Sequence, residues 1–176
     1  VPGALPHRAC SAAPTGTQAR QGPGKHPAPK WAGMVQDDMM TVDHGMPKSD
    51  GTMAKVQRAE ADVNIEFQSR SKYAADAEKL AWAFADANEK YAADYPAQVG
   101  RHMTNTDSSP FMDIVPAISL RENERGAQIG DGWDPQWHQP TDVYSFYTDN
   151  DFRLGLNAAQ TTLSAVGMLT GAILKK

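Results

Sequence analysis

The chain has a single cysteine, Cys10, in 176 residues. No disulfide can form within it, which excludes a cystine-stapled fold. It has no excess of positive charge: 17 Lys and Arg stand against 21 Asp and Glu, a formal net charge of −4. That balance argues against nucleic acid as a partner, because phosphate binding needs a basic field. No apolar run approaches the ~20 residues of a membrane-spanning helix, so no membrane span is expected. Also missing are H-E-x-x-H, a cysteine cluster, a glycine-rich phosphate loop and G-x-S-x-G. With them go the simplest routes to a single-helix zinc site, nucleotide binding and serine hydrolysis.

Acidic residues are absent from the first 36 positions, the earliest being Asp37, so the remainder carries 13 basic and 21 acidic residues. Residues 1–30 also hold half of the 12 prolines and show neither helical nor strand periodicity. This composition predicts a disordered or non-native tail over 1–30. The tail has no apolar core of a signal peptide. The lack of an initiating Met leads us to expect a truncated chain.

Order is expected from residue 31. The apolar run "WAGMVQDDMM" predicts a strand that delivers Asp37 or Asp38 at its carboxyl end. "DVNIEFQ" alternates Val63, Ile65 and Phe67 with polar residues, which is strand periodicity. Tyr73, Ala77, Leu80, Phe84 and Tyr91 form one stripe of a helix over 70–93, closed before Tyr95-Pro96. The continuous apolar run Ile114–Leu120 predicts a strand covered on both faces. A long loop over 121–148 follows, of a length usually reserved for function. The last helix is expected to start at Asp149 or Asp151, either as its cap, and to run to about Leu174. Its expected buried face is Phe152, Leu156, Ala159, Leu163, Val166 and Ile173. Strands alternating with amphipathic helices predict an α/β fold with a mostly parallel sheet in three αβα layers. Sites in such sheets form beyond the strands' carboxyl ends, where Asp38 falls and where loops starting at His102 and Arg121 could meet it.

The loop segment "GWDPQWHQPTD" concentrates Trp133, Trp137, His138 and Asp142. His138 can be read as a surface or packing residue, or as a zinc ligand with Asp38 supplying carboxylate oxygen. Asp142 would then accept a hydrogen bond from the ring's other nitrogen. Asp37 and Asp38 point to opposite faces of a strand, so one at most serves a given site; the alternative is a solvated pair in a turn. His44 and His102 read as loop residues rather than ligands.

In order, "MVQDDMM", "NTDSSPF", "VPAISL", "WHQPTD" and a long terminal helix resemble the C-terminal half of the co-catalytic di-zinc aminopeptidases. That family is related to glutaminyl cyclases and to the transferrin-receptor ectodomain. The resemblance spans about residues 31–174. It implies that Asp38, followed by Met39, binds one zinc and that His138 binds the other. It places Asp107, in Thr106-Asp107-Ser108-Ser109-Pro110-Phe111, and Asp142 beside them. For Trp137, a pocket wall and packing on the last helix are equal alternatives. Two positions depart from the family pattern: Ser108 stands where His is usual and Gln139 where Thr is usual.

The upstream motifs of the family, His-x-Asp and Glu-Glu, have no counterpart before Asp38. They would supply the bridging carboxylate, further ligands and the general base. A two-metal hydrolase needs that bridge to hold its ions ~3.5–4 Å apart. The expectation is therefore an incomplete fragment of the full domain, with residues 31–176 as its C-terminal portion and no catalytic residue of its own. In the complete protein the resemblance implies a zinc-dependent aminopeptidase acting on N-terminal peptide bonds, secreted or periplasmic. This chain would bind zinc weakly, remain inactive and tend to aggregate. The alternatives are a glutaminyl-cyclase-like acyltransferase and a non-catalytic binding module.

Overall fold

A computed structural model describes residues 30–42, 63–122, 136 and 138–172. The chain divides into two units, residues 1–32 and 33–176, and the architecture below is that of the second. Its described elements are β1 (Met34–Asp37), β2 (Val63–Phe67), α1 (Ala74–Tyr91), β3 (Ala97–Gly100), β4 (Ala117–Arg121) and α2 (Asp149–Leu169), with short 3₁₀ turns at Ser109–Phe111 and Tyr144–Phe146.

The four strands form one sheet in the order β1-β4-β2-β3. β1 and β4 are parallel, as are β2 and β3, but β2 and β4 are antiparallel, so the sheet is mixed rather than simply parallel. The class is thus α/β, with β2, α1 and β3 forming a βαβ unit. β3 was not expected from the sequence. "AQVG" is short, follows Pro96 and ends in glycine, so it carries little strand signal of its own.

Register assigns the two faces. Ile65 pairs with Leu120 and Phe67 with Ile118, and Val35 lies beside Ile118. These side chains share one apolar core with Ala77, Ala81 and Phe84 of α1 and with Leu154, Ala158 and Ala165 of α2. Both helices therefore lie on the same face of the sheet. The other face carries Asn64, Glu66, Ser119 and Arg121, all buried. The alternation read in β2 therefore separates apolar from polar residues without separating buried from exposed ones, since all five residues are buried. Segment 101–116 crosses this polar face: the Ser108 hydroxyl lies 3.1 Å from the Ile118 carbonyl, and the Thr106 hydroxyl 3.4 Å from that of Ser119.

The last helix corrects two expectations. Its N-cap is Thr148, in a reciprocal capping box with Asp151, and neither Asp149 nor Asp151 is the cap. The face expected to be buried is exposed: Phe152 by 39%, Leu156 by 59%, Leu163 by 71% and Val166 by 43%. Ala159 is exposed with them, while Ile173 lies outside the described residues. The buried face consists of Asp151, Leu154, Asn157, Ala158, Thr161 and Ala165. The physical reason is close approach. α2 meets α1 through small and hydrogen-bonding side chains, with Asn88 Nδ2 donating to Asn157 Oδ1 (3.3 Å) and to Thr161 Oγ1 (3.0 Å). Gly155 lets the helix approach the segment after β1 equally closely, since a Cβ there would sit 3.2 Å from the Met40 carbonyl oxygen. The bulkier side chains are left pointing outward.

Candidate functional site

β1 and β4 run in parallel, so their carboxyl ends emerge together. The pairing continues past the strands: Asp38 N–H donates to Leu120 O (3.0 Å) and Glu122 N–H to Met39 O (3.1 Å). This makes Asp38 and Arg121 lateral neighbours on the polar face. Arg121 Nη2 donates to Asp38 Oδ2 at 2.9 Å, with the arginine 2% and the aspartate 28% exposed. Glu122, 1% exposed, turns the chain after β1 by accepting the Thr41 and Val42 N–H groups on Oε2, both at 3.0 Å. Asp37 points to the helix face instead, where Thr162 Oγ1 donates to its carboxylate (2.9 Å). Asp37 is exposed, but the packing around the strand end takes enough water from its carboxyl to push it somewhat above its usual range, and the Thr162 hydrogen bond opposes that rise.

The segment over the polar face is anchored by one amide. Gln36 Oε1 accepts from the Thr106 hydroxyl and from Ser108 N–H (2.8 Å), and the Ser108 hydroxyl lies 2.9 Å away. Ser108 is fully buried, and its backbone and hydroxyl clamp the crossing segment to Gln36 and to β4. The anchor suspends Asn105–Asp107 above the ends of β1 and β4. An open cavity of about 440 Å³ lies there, bounded by Asp38 and Arg121 from the sheet, by Asp107 and Ser109 from the crossing segment, and by His138 from the long loop.

The backbone around this cavity is unusual. Met39 (φ 53°), Asn105 (φ 50°) and His138 (φ 57°) are the non-glycine residues with left-handed backbone among the described residues, and all three line the cavity. Such conformations cost about 1–3 kcal/mol each and collect at sites where surrounding structure holds them.

Of the residues singled out from sequence, Asp38, Asp107 and His138 meet at this cavity, although 100 positions separate the first from the last. Asp142 is not among its lining; its Oδ1 accepts from the Tyr147 hydroxyl at 2.6 Å. Trp133, Trp137 and His44 lie outside the described residues. The loop after β3 does reach Asp38, but His102 itself lines a separate cavity of about 300 Å³ with Arg70 and Thr104. The antiparallel β2–β4 junction explains this, because it sends the carboxyl ends of β2 and β3 to the opposite end of the sheet. Sequence reasoning missed Arg121 and Gln36. The available signal was their place in strands flanking Asp38, readable only once register was known. Among the described residues no three His, Cys, Asp or Glu side chains come close enough to hold a metal ion. No described helix is long and apolar enough to cross a membrane.

No family model, no curated protein and no solved structure matches the chain.

Proposed function

We propose that this chain is the C-terminal portion of a three-layer αβα zinc exopeptidase, an aminopeptidase in its complete form, and that it is inactive alone. The observation that carries the proposal is the convergence of Asp38, Asp107 and His138 on one cavity at the carboxyl ends of a parallel strand pair. These are the positions and residue types of the resemblance, and the left-handed backbone at Met39, Asn105 and His138 is concentrated there. Peptide as substrate and a secreted or periplasmic location come with the same resemblance.

Carboxylate and imidazole are donors that zinc accepts, but tight binding takes three or four of them. The described residues bring no such group together, and Asp38 is engaged by Arg121. On their own they do not fit a zinc ion. The upstream part of the domain would supply the missing ligands and base; bound there, zinc activates water and acts as a Lewis acid. Two uncovered surfaces favour an upstream part. Among the described strands β1 is an edge, paired only with β4, and the adjacent α2 exposes its apolar stripe. The Asp38–Arg121 pair favours a second reading, a peptidase-like module that binds without catalysis.

Zinc titration calorimetry tests the proposal. The chain should bind zinc no more tightly than about the micromolar range, given so few ligands. Asp38→Asn and His138→Ala should each remove what binding there is. Sub-micromolar binding would overturn the ligand-poor reading, and binding indifferent to both substitutions would place zinc elsewhere.

A further inference from the structure

We propose that the cavity of about 300 Å³ at the carboxyl ends of β2 and β3 is a phosphate-binding site, built on Ser69, Arg70, His102 and Thr104. It rests neither on the zinc reading nor on Asp38.

The mixed sheet creates this second position. Its two parallel strand pairs end at opposite ends of the sheet, and ligands of α/β sheets collect beyond such carboxyl ends. One end carries the cavity at Asp38 and the other carries this one. Its walls are the turn after β2 and the segment after β3, and they are stitched together past the strands. Met103 N–H donates to Phe67 O (3.1 Å) and Ser69 N–H to Arg101 O (3.3 Å). The Gln68 amide completes the seam: Nε2 donates to Met103 O (2.9 Å) and Oε1 accepts the Arg70 N–H (3.2 Å). Both ends of that amide are taken up by backbone, so the walls are held before any ligand arrives.

The rest of the lining is one guanidinium, one imidazole and two hydroxyls, with no carboxylate, in a chain where acidic residues outnumber basic ones 21 to 17. Nearby cations are engaged: Arg101 is held by Glu78 at 2.7 Å and Lys79 by Asp76 at 3.1 Å. Among the described residues no carboxylate pairs with Arg70. A guanidinium fork without a carboxylate binds carboxylate and phosphate groups alike. The fork alone satisfies a planar carboxylate, whereas donors on both walls suit a phosphate, whose further oxygens can reach Ser69, His102 and Thr104. All four residues are exposed, so a substituent on the phosphate can project into water.

Titration with inorganic phosphate at constant ionic strength, followed by nitrogen-15 NMR, tests the site. Amide shifts should saturate together at Ser69, Arg70, His102 and Thr104, and acetate should bind at least about tenfold more weakly. Arg70→Gln should weaken phosphate binding about tenfold or more through loss of a charge-assisted pair. Ser69→Ala combined with Thr104→Val keeps the charge and should still weaken binding about threefold. Arg101→Gln, whose cation Glu78 already holds, should change it less than about twofold. These positions are exposed, and unchanged circular dichroism checks that each variant folds. Glycerol phosphate separates the sources. Binding equal to that of inorganic phosphate assigns a phosphomonoester, and binding of inorganic phosphate alone assigns the free ion. Acetate binding as tightly as phosphate, equal losses in Arg70→Gln and Arg101→Gln, indifference to the two hydroxyls, or no saturation at the four amides overturns the proposal.

Discussion

Asn88 is the buried hinge pin between the two helices and the sheet, and replacing it with alanine should be costly. The two N–H groups of its amide are shared among four acceptors, the Ala92 and Tyr95 carbonyls, both at 3.0 Å, and Asn157 and Thr161 on α2. Its oxygen accepts the Ala97 N–H at 2.9 Å, fixing the first residue of β3. Not every partner is stranded in Asn88→Ala. Ala92 O keeps the Asn157 amide (2.7 Å), and the Thr161 hydroxyl keeps Asn157 O (2.9 Å). The Ala97 N–H, Asn157 Oδ1 and the part-buried Tyr95 carbonyl lose these hydrogen bonds; for the first two each loss costs about 1–3 kcal/mol, and less for the carbonyl, which is nearer water. Alanine's better helix propensity returns about 0.5 kcal/mol. A net loss of about 3 kcal/mol follows, or roughly 10 °C in melting temperature for a domain of this size. Urea unfolding followed by circular dichroism should show the midpoint fall with the slope unchanged. Asn157→Ala should cost less, because Ala92 O retains the Asn88 amide. A loss below about 1 kcal/mol for Asn88→Ala, or a larger one for Asn157→Ala, would refute the assignment of Asn88 as the hub.

Asp37 gives a prediction of opposite sign. Its folded carboxyl is raised above the ordinary 3.8, so folding favours the protonated form, and that contribution is full at acid pH and fades as Asp37 ionises. Because Asp37 is exposed, the effect should be small: Asp37→Asn should melt with the wild type at about pH 3 and slightly above it at pH 7, and a wild type that melts higher at pH 7 would contradict the raised carboxyl. The exposed stripe on α2 should drive self-association. Sedimentation of the wild type should depend on concentration, and Leu156→Glu with Leu163→Glu should abolish that dependence while leaving the helical circular dichroism intact. A wild type monomeric at all concentrations would show that the stripe is already covered.

Part of the candidate site was legible in the sequence. An apolar run ending in Asp37-Asp38 reads as a strand that presents a carboxylate at its end, because period and polarity change together there. His138 stood out through its local chemistry, an imidazole in an aromatic loop followed by an aspartate, and Asp107 only through the order of short motifs. Arg121 was invisible, since an arginine closing an apolar strand reads as the first residue of a loop. Only pairing with β1 makes it the neighbour of Asp38, and only the segment anchored on Gln36 removes it from water.

By itself the sequence determined roughly where β1, β2, α1, β4 and α2 lie, because residue spacing and chain-breaking residues act locally, although β4 starts at Ala117 rather than Ile114 and α2 ends at Leu169 rather than near Leu174. Tertiary structure decided the rest. β3 exists because β2 and Asn88 supply hydrogen-bond partners to four residues with little strand tendency of their own. The antiparallel β2–β4 pairing decided which loops could meet Asp38. The buried face of α2 was decided against its own hydrophobicity. Ala158, Thr161 and Ala165 admit a neighbour where Phe152, Leu156 and Leu163 would hold it off. Periodicity reports how apolar a face is, but helix packing also depends on how closely that face can be approached.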